Sequence, residues 1–486
     1  MKLSNKRIRN VLVCLSLFAM AGTAVGNNIM ITDLSLADSG VSNTVDVQFT
    51  LSWDHSWRAT WTESAAANVT GADLDLESWD AAWVFLKWRD NDSGDWAHAT
   101  LASTGHTVPV GTTITVSSDG LGVFIHRSAV GSGPFSKTIK LRWNRVADGA
   151  GSSVDVSVQA IEMVYVPQGS FEVGTGSTVE AGSFTDGSWT SGATIPFLIP
   201  GEGAVIITNS AGHLWGTSTS GRSSIGGYNT LPLAYPKGYN AFYCMKYEVT
   251  QGQYADFLNM LTSSQAASRY STSSTGYRYT ISGSHPNFIA SAPDRACNFF
   301  NWNDGAHYAA WAGLRPMTEL EFEKACRGPV NAVAEYAWGD HLLIQTTNFV
   351  NDGTAGEVPL PSNAYCVYGN GTAGPIRVGA FATFSSNRKA AGASYWGIME
   401  MSGNLWERPI SVGLAAGRAF TGLHGTGSVA SLPSGWPTTN VGYGVRGGAW
   451  NTTSDHFNRV SDRTYACVEN DNRSFSYGWR GVRTAP

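Results

Sequence analysis

Apolar and polar residues alternate strictly along Val45-Asp46-Val47-Gln48-Phe49-Thr50-Leu51-Ser52-Trp53. A period of two puts one set of side chains on each face, so this run predicts a half-buried strand. Lys137-Thr138-Ile139-Lys140-Leu141-Arg142-Trp143 and Val154-Asp155-Val156-Ser157-Val158 repeat the pattern. Ala81-Ala82-Trp83-Val84-Phe85-Leu86 is apolar throughout and predicts a central strand covered on both faces. Polar turn clusters, Asp90-Asn91-Asp92-Ser93-Gly94 and Ser117-Ser118-Asp119-Gly120, separate such runs. Short strands, regular turns and no helical period over residues 27–160 predict an all-β sandwich domain.

The period changes further on. Thr250-Gln251-Gly252-Gln253 and Thr318-Glu319-Leu320-Glu321 are capping boxes, in which the threonine hydroxyl and the third side chain satisfy first-turn amides. Tyr254, Phe257, Leu258 and Leu261 follow the first at helical spacing. A third helix is predicted from Trp302 to Trp311, ending at Gly313. Gly/Ser/Thr-rich stretches at about 174–230 and 262–284 predict surface loops, because low-complexity polar chain buries little. An α+β domain over residues 161–486 is therefore expected after the sandwich.

Composition narrows the function classes. Charged residues are 14% of the 486, against about 25% in ordinary globular domains. The formal charge of −5 and the lack of a basic block outside the N-terminus give no footprint for nucleic acid. Lys2, Lys6, Arg7 and Arg9, then the apolar Val11–Ala21 run and the small residues Ala24-Val25-Gly26, predict a cleaved signal peptide over 1–26. The expected location is secreted, periplasmic or cell-surface, with no transmembrane segment thereafter. Export permits disulfides, but Cys244, Cys297, Cys326, Cys366 and Cys467 are odd in number and form no C-x-x-C pair; their pairing stays open.

Three ordered motifs carry the clearest signal: Gly403-Asn404-Leu405-Trp406-Glu407, Val445-Arg446-Gly447-Gly448-Ala449-Trp450, and Gly478-Trp479-Arg480-Gly481-Val482-Arg483. With Met163–Phe171, Glu248-Val249-Thr250, Asn301–Asp304 and Leu314–Glu319, this set resembles the formylglycine-generating enzyme (sulfatase-modifying factor) family across about 160–486. The resemblance implies a C-type lectin-like fold. It also implies an oxidase that converts a client cysteine to formylglycine, with copper on two thiolates placed two and seven residues beyond the aromatic of the Arg-Gly-Gly motif. Those positions are Thr452 and Phe457, and Ala449 replaces the family's serine. Cu(I) requires soft ligands, so copper is not expected and no catalytic residue is assigned. A related branch holds iron on three histidines, but no two of the ten His share such a spacing. A diverged oxidase remains the alternative.

The same resemblance implies a structural calcium on Glu400, Gly403, Leu405 and Glu407, a mix of carboxylates and carbonyls suited to a hard cation. Pairing of Glu407 with Arg408 is the competing expectation. Arg446 and Arg483 are expected in internal salt bridges. The stretch from Asn451 to Tyr477 also resembles the variable region of diversity-generating retroelement proteins. Its Thr, Ser, Asp, His, Phe, Tyr, Cys, Val and Asn residues fit what mutagenesis of Asn codons at adenine yields. They surround a frame that includes Arg459, Arg463 and Arg473. The expected function is non-catalytic binding of a protein or glycan through Trp450, Thr452, His456, Phe457, Tyr465, Phe475 and Tyr477, an aromatic and polar mixture suited to adaptable recognition. In a purely structural alternative, that patch packs against the sandwich.

Overall fold

A computed structural model describes residues 28–486 apart from 91–93, 179, 191–192, 272–274, 331–334 and 439. The expected signal peptide and Cys14 lie outside the described residues. The chain is mostly strand with few helices. Its largest element is an 11-stranded antiparallel sheet. The strands used below are β1 (Met30–Asp38), β2 (Val45–Glu63), β3 (Leu74–Asp90), β4 (Thr112–Val116), β5 (Val123–Arg127), β6 (Gly131–Trp143), β7 (Val154–Val166), β8 (Phe242–Met245), β9 (Arg315–Pro316) and β10 (Gly481–Thr484). The sheet runs β1-β2-β3-β7-β8-β10-β9, with β6 on β2, β5 on β3, β4 on β5, and a two-residue strand, Ala97–His98, also on β3.

The apolar run in β3 explains how the sheet is buried. Ala82, Val84, Leu86 and Trp88 face a core shared with Val47, Phe49 and Leu51 of β2 and Ile139 and Leu141 of β6. Ala81, Trp83 and Phe85, on the other face, join the main core with Tyr243, Phe257, Trp311 and Leu314. Trp83 Nε1 also donates to the Ala312 carbonyl at 2.7 Å, so its polar edge is satisfied where its ring is buried. The position between residues 160 and 161 falls inside β7. Val156 and Val158 of that strand belong to the first core and Ile161 and Met163 to the main one. The N-terminal strands and the C-terminal region therefore share one sheet.

Helices α1 (Gln251–Asn259) and α4 (Glu319–Arg327) start at their threonine caps, and α3 (Trp302–Trp311) has the expected range, with Asn301 as its N-cap. Two expected loops are corrected. The stretch 262–284 contains helix α2 (Ser263–Arg269), capped by Thr262 and Gln265. The stretch 174–230 supplies Phe184, Phe197, Ile199, Val205, Ile207, Leu214, Trp215 and Ile225 to the main core. Those apolar residues fall in short runs, mostly on two- and three-residue strands separated by polar chain, which is too short to show a period.

Every residue of α4 is buried, including Glu319, Glu321, Glu323, Lys324 and Arg327. Each carboxylate has a guanidinium partner. Arg463 Nε and Arg446 Nη1 meet Glu319 at 2.7 and 2.8 Å; Arg446 Nη2 and Arg327 Nη1 meet Glu323 at 2.8 and 3.1 Å. Arg315 forks onto Glu321. Buried charge of this kind is tolerated only as a complete network. No helix among the described residues is long and apolar enough to cross a membrane.

Candidate functional site

The three C-terminal motifs converge. Gly403 N donates to Gly447 O at 2.7 Å and Trp450 N to Asn404 O at 2.8 Å, which joins the first motif to the second. Trp406 N bonds Ser476 O, and Gly478 N bonds Trp406 O, both at 2.9 Å, which brings in the third. Gly403 has a φ of +93°, and a Cβ there would lie 2.7 Å from the Val367 carbonyl. The backbone approach requires glycine at that place.

Below this junction sit three buried carboxylates and one guanidinium. Arg480 Nε donates to Glu407 Oε1 at 2.7 Å, while its Nη atoms bond the carbonyls of Met245 and Met399. The competing expectation for Glu407 is corrected: its partner is Arg480. Arg408 instead donates to the carbonyls of Asn470 and Asn472 and lies over the Tyr477 ring at 4.4 Å. Glu248 accepts from Leu405 N at 2.9 Å and from Asn404 Nδ2. Glu400 Oε1 accepts from Gly379 N at 2.7 Å. Glu400 Oε2 and Glu407 Oε2 are buried with no hydrogen-bond partner among the described residues. Burial pushes the Glu400 carboxyl up to about 7 and raises Glu248 and Glu407 as well. Excess buried negative charge and two unshared carboxylate oxygens fit a hard divalent cation held by Glu400 and Glu407, with Gly403 and Leu405 offering carbonyls. No cluster of three or more His, Cys, Asp or Glu with metal-site geometry occurs among the described residues, so backbone oxygens would have to complete such a site. The sequence reading did not place Glu248 and Arg480 in this cluster, although both lie within the motifs it used.

The two copper positions hold no metal-binding group. Thr452 Oγ1 donates to the Ala449 carbonyl at 2.7 Å, and Phe457 packs against Tyr465 at 5.4 Å between ring centroids. Cys467 is turned away, its thiol against the Ser224 carbonyl at 3.1 Å and the Ser411 hydroxyl at 3.3 Å, and burial raises its pKa. All five described cysteines are buried free thiols.

The expected ligand surface divides into two aromatic groups. His456, Phe457, Tyr465 and Tyr477 are half-buried, and the last three pack on Trp406 and Val445. Phe475 is also half-buried but belongs to a second group, stacked on Tyr277 at 4.2 Å and flanked by Trp450 at 5.7 Å. Trp450 and Thr452 are buried and so support the surface from beneath. Cys467, Val468 and Ser476 are buried too, so they leave the patch. Among the described residues, the ring contacts of this patch stay within the C-terminal region. A different aromatic set meets the N-terminal strands: Trp61 Nε1 donates to Tyr395 Oη at 3.0 Å, and Trp61 lies 5.9 Å from Trp396. The frame arginines all anchor inward, Arg459 to Glu180, Arg463 to Glu319 and Arg473 to Asp304.

A profile of the sulfatase-modifying factor enzyme 1-like domain matches residues 208–485, more than half of the chain. The formylglycine-generating enzyme of Thermomonospora curvata is 28% identical over 194 residues, 40% of this chain and 56% of that protein. The inactive C-alpha-formylglycine-generating enzyme 2 of Mus musculus is 30% identical over 125 residues, 26% of this chain and 35% of that protein. The hercynine oxygenase of Mycolicibacterium smegmatis is 34% identical over 146 residues, 29% of this chain and 27% of that protein. The chain thus spans little more than half the length of the first of these relatives and about a third or less of the other two. On the profile match, and on motifs that meet in one place, the chain belongs to the sulfatase-modifying factor enzyme 1-like family.

Proposed function

We propose that this protein is an exported, non-catalytic binding protein that uses its family domain, in a C-type lectin-like arrangement, to present a recognition surface for a protein or glycan. The observation that carries the reading is the pair Thr452 and Phe457, which stand where the family's oxidase has its two copper thiolates. One is a hydroxyl bonded to Ala449 O and the other a ring stacked on Tyr465. Neither can bind Cu(I), and the nearby thiol of Cys467 is engaged elsewhere.

His456, Phe457, Tyr465, Phe475 and Tyr477 form the contact surface, with Trp450 and Thr452 beneath it. Half-exposed tyrosines and phenylalanines give large contact area with little side-chain entropy to lose. The resemblance of 451–477 to a diversified region agrees with a patch whose surroundings are anchored by arginines paired with buried carboxylates. Calcium is a structural cofactor in this reading, and residues 1–26 direct export. That a mouse relative carries the name of an inactive enzyme makes a non-catalytic member of this family unsurprising.

The test is a titration of the reduced protein with Cu(I) against a competing chelator. No transfer of copper to the protein is expected. Tight one-to-one binding that is lost in Cys467→Ser would overturn the reading in favour of a diverged oxidase.

A further inference from the structure

A second concave site lies between β2 and the segment around residues 382–399, a cleft of about 670 Å³. Trp57, Ala59 and Trp61 are alternate residues of β2 and line one wall. Tyr395 and Trp396 line the facing wall, with Lys246 and Tyr247 also in the lining. The rings are held in place by more than packing. Trp61 is fixed through its bond to Tyr395 Oη, which itself bonds Glu63 Oε2. Gly397 has a φ of +85°, and a Cβ there would come within 3.2 Å of the Trp57 ring, so that indole rests against bare backbone. Phe384 is 82% exposed, with its ring 6.0 Å from that of His55, another lining residue. Phe384 thus offers an open ring beside the aromatic cleft.

The charges of the lining identify the occupant. No carboxylate lines the cleft among the described residues. The Lys246 ammonium is compensated by Asp80 at 3.3 Å and Glu162 at 3.6 Å. The Arg388 guanidinium gives its Nη2 to the carbonyls of Ala337 and Cys326. No carboxylate therefore draws a cation to the walls, and both basic groups are already engaged within the protein. Thr383, Ser386 and Asn387 add hydroxyl and amide groups to an otherwise apolar lining. A pyranose ring matches both halves of this lining: its C–H face lies flat on an aromatic ring, and its hydroxyl edge exchanges hydrogen bonds with short polar side chains. The Thr383 and Ser386 hydroxyls already share a hydrogen bond at 2.9 Å and Asn387 Oδ1 accepts from Ala390 N at 2.9 Å, so sugar hydroxyls would extend an existing polar rim.

We propose that this cleft is a saccharide-binding site that takes a neutral hexopyranose unit of a glycan. It is separate from the surface at 450–477 and does not depend on the reading given to that surface.

The experiment titrates the protein with cellohexaose, chitohexaose and mannohexaose, following tryptophan fluorescence and heat. At least one binds with a dissociation constant below about 1 mM. Phe384→Ala, at an exposed position that leaves the fold intact, weakens that binding about threefold to tenfold. Trp57→Ala weakens it further. Failure of all three sugars to bind overturns the proposal. So does binding that is unchanged in both variants or lost only in Phe457→Ala, and so does fluorescence quenching by dodecanoate where the sugars give none.

Discussion

Gly305, in the middle of α3, lies directly against the Trp479 indole: a Cβ built on that glycine would sit 1.9 Å from the ring's Cε3. Helix interiors favour alanine over glycine by about 1 kcal/mol. Here the contact outweighs that preference. Trp479 is 1% exposed and braced edge-on by Trp302 at 5.1 Å, so the ring has nowhere to go. Gly305→Ala is expected to destabilise the protein by at least ~1–2 kcal/mol net, as overpacking of a filled core does. Thermal unfolding checks it; an unchanged or raised Tm would show that the ring can shift.

Asp119 and Arg483 tie the N-terminal strands to the last strand of the sheet through a two-oxygen contact at 2.6 Å. Burial alone would raise the Asp119 carboxyl, but the guanidinium outweighs it and holds the group at about 2 against an ordinary 3.8. A carboxyl lowered in the folded state contributes stability above its unfolded pKa and loses it as pH falls toward the folded value. The contribution is therefore full above about pH 4 and fades between about 4 and 2. Asp119→Asn should show a shallower fall of Tm over that window, with the variant and parent converging at its acid end. The carboxylate is 36% exposed, so the effect is modest.

Removing Arg446 leaves Glu319 and Glu323 short of a partner at full burial. Breaking one side of such a pair costs ~3–5 kcal/mol, because the abandoned charge remains in a dry site. Arg446→Ala should therefore accumulate poorly as soluble protein, and what is recovered should unfold at much lower urea. Arg446→Lys should also be impaired, since one ammonium cannot reach two carboxylates and Val460 O as the fork does.

If calcium sits on Glu400 and Glu407, adding it to chelator-treated protein raises Tm, by an amount equivalent to about 2.7 kcal/mol at a hundredfold excess over Kd. Glu407→Gln should lose that response and also weaken the Arg480 contact. A Tm indifferent to calcium would leave the two carboxylates as a plain buried ion-pair cluster.

Residues 161–486 expressed alone should not fold. They lack β3 and half of β7, so the main core would lose Ala81, Trp83 and Phe85 and expose what those side chains cover. Insolubility, or strong binding of a hydrophobic dye, is the expected outcome; a cooperative unfolding transition would contradict it.

Much of this was legible in the sequence for a physical reason: the signals are local. The alternation at 45–53 gave β2, the unbroken run at 81–86 gave a strand covered on both faces, and the threonine caps gave α1 and α4. The joined sheet was not legible, because the change in β7 from alternation at 154–160 to the mostly apolar 161–166 reads as a boundary between domains although the strand continues through it. Nor was the partner of Glu407. Arg480 lies 73 residues away, and only the meeting of two motifs brings its guanidinium to that carboxylate. The free state of the cysteines depends on three-dimensional distance alone, which an odd count of thiols does not reveal.

The inward anchoring of Arg459, Arg463 and Arg473 has one more consequence. Glu180, Glu319 and Asp304, which receive them, are buried and lie far back in the sequence, so carboxylates outside the 451–477 stretch help to hold it in place. Thr453, Glu469 and Asn472 are exposed on this stretch, and changing their side chains is expected to cost little stability. Mutations there can accumulate at small cost to stability, and a lineage could explore new specificities on this face while the architecture below stays constant.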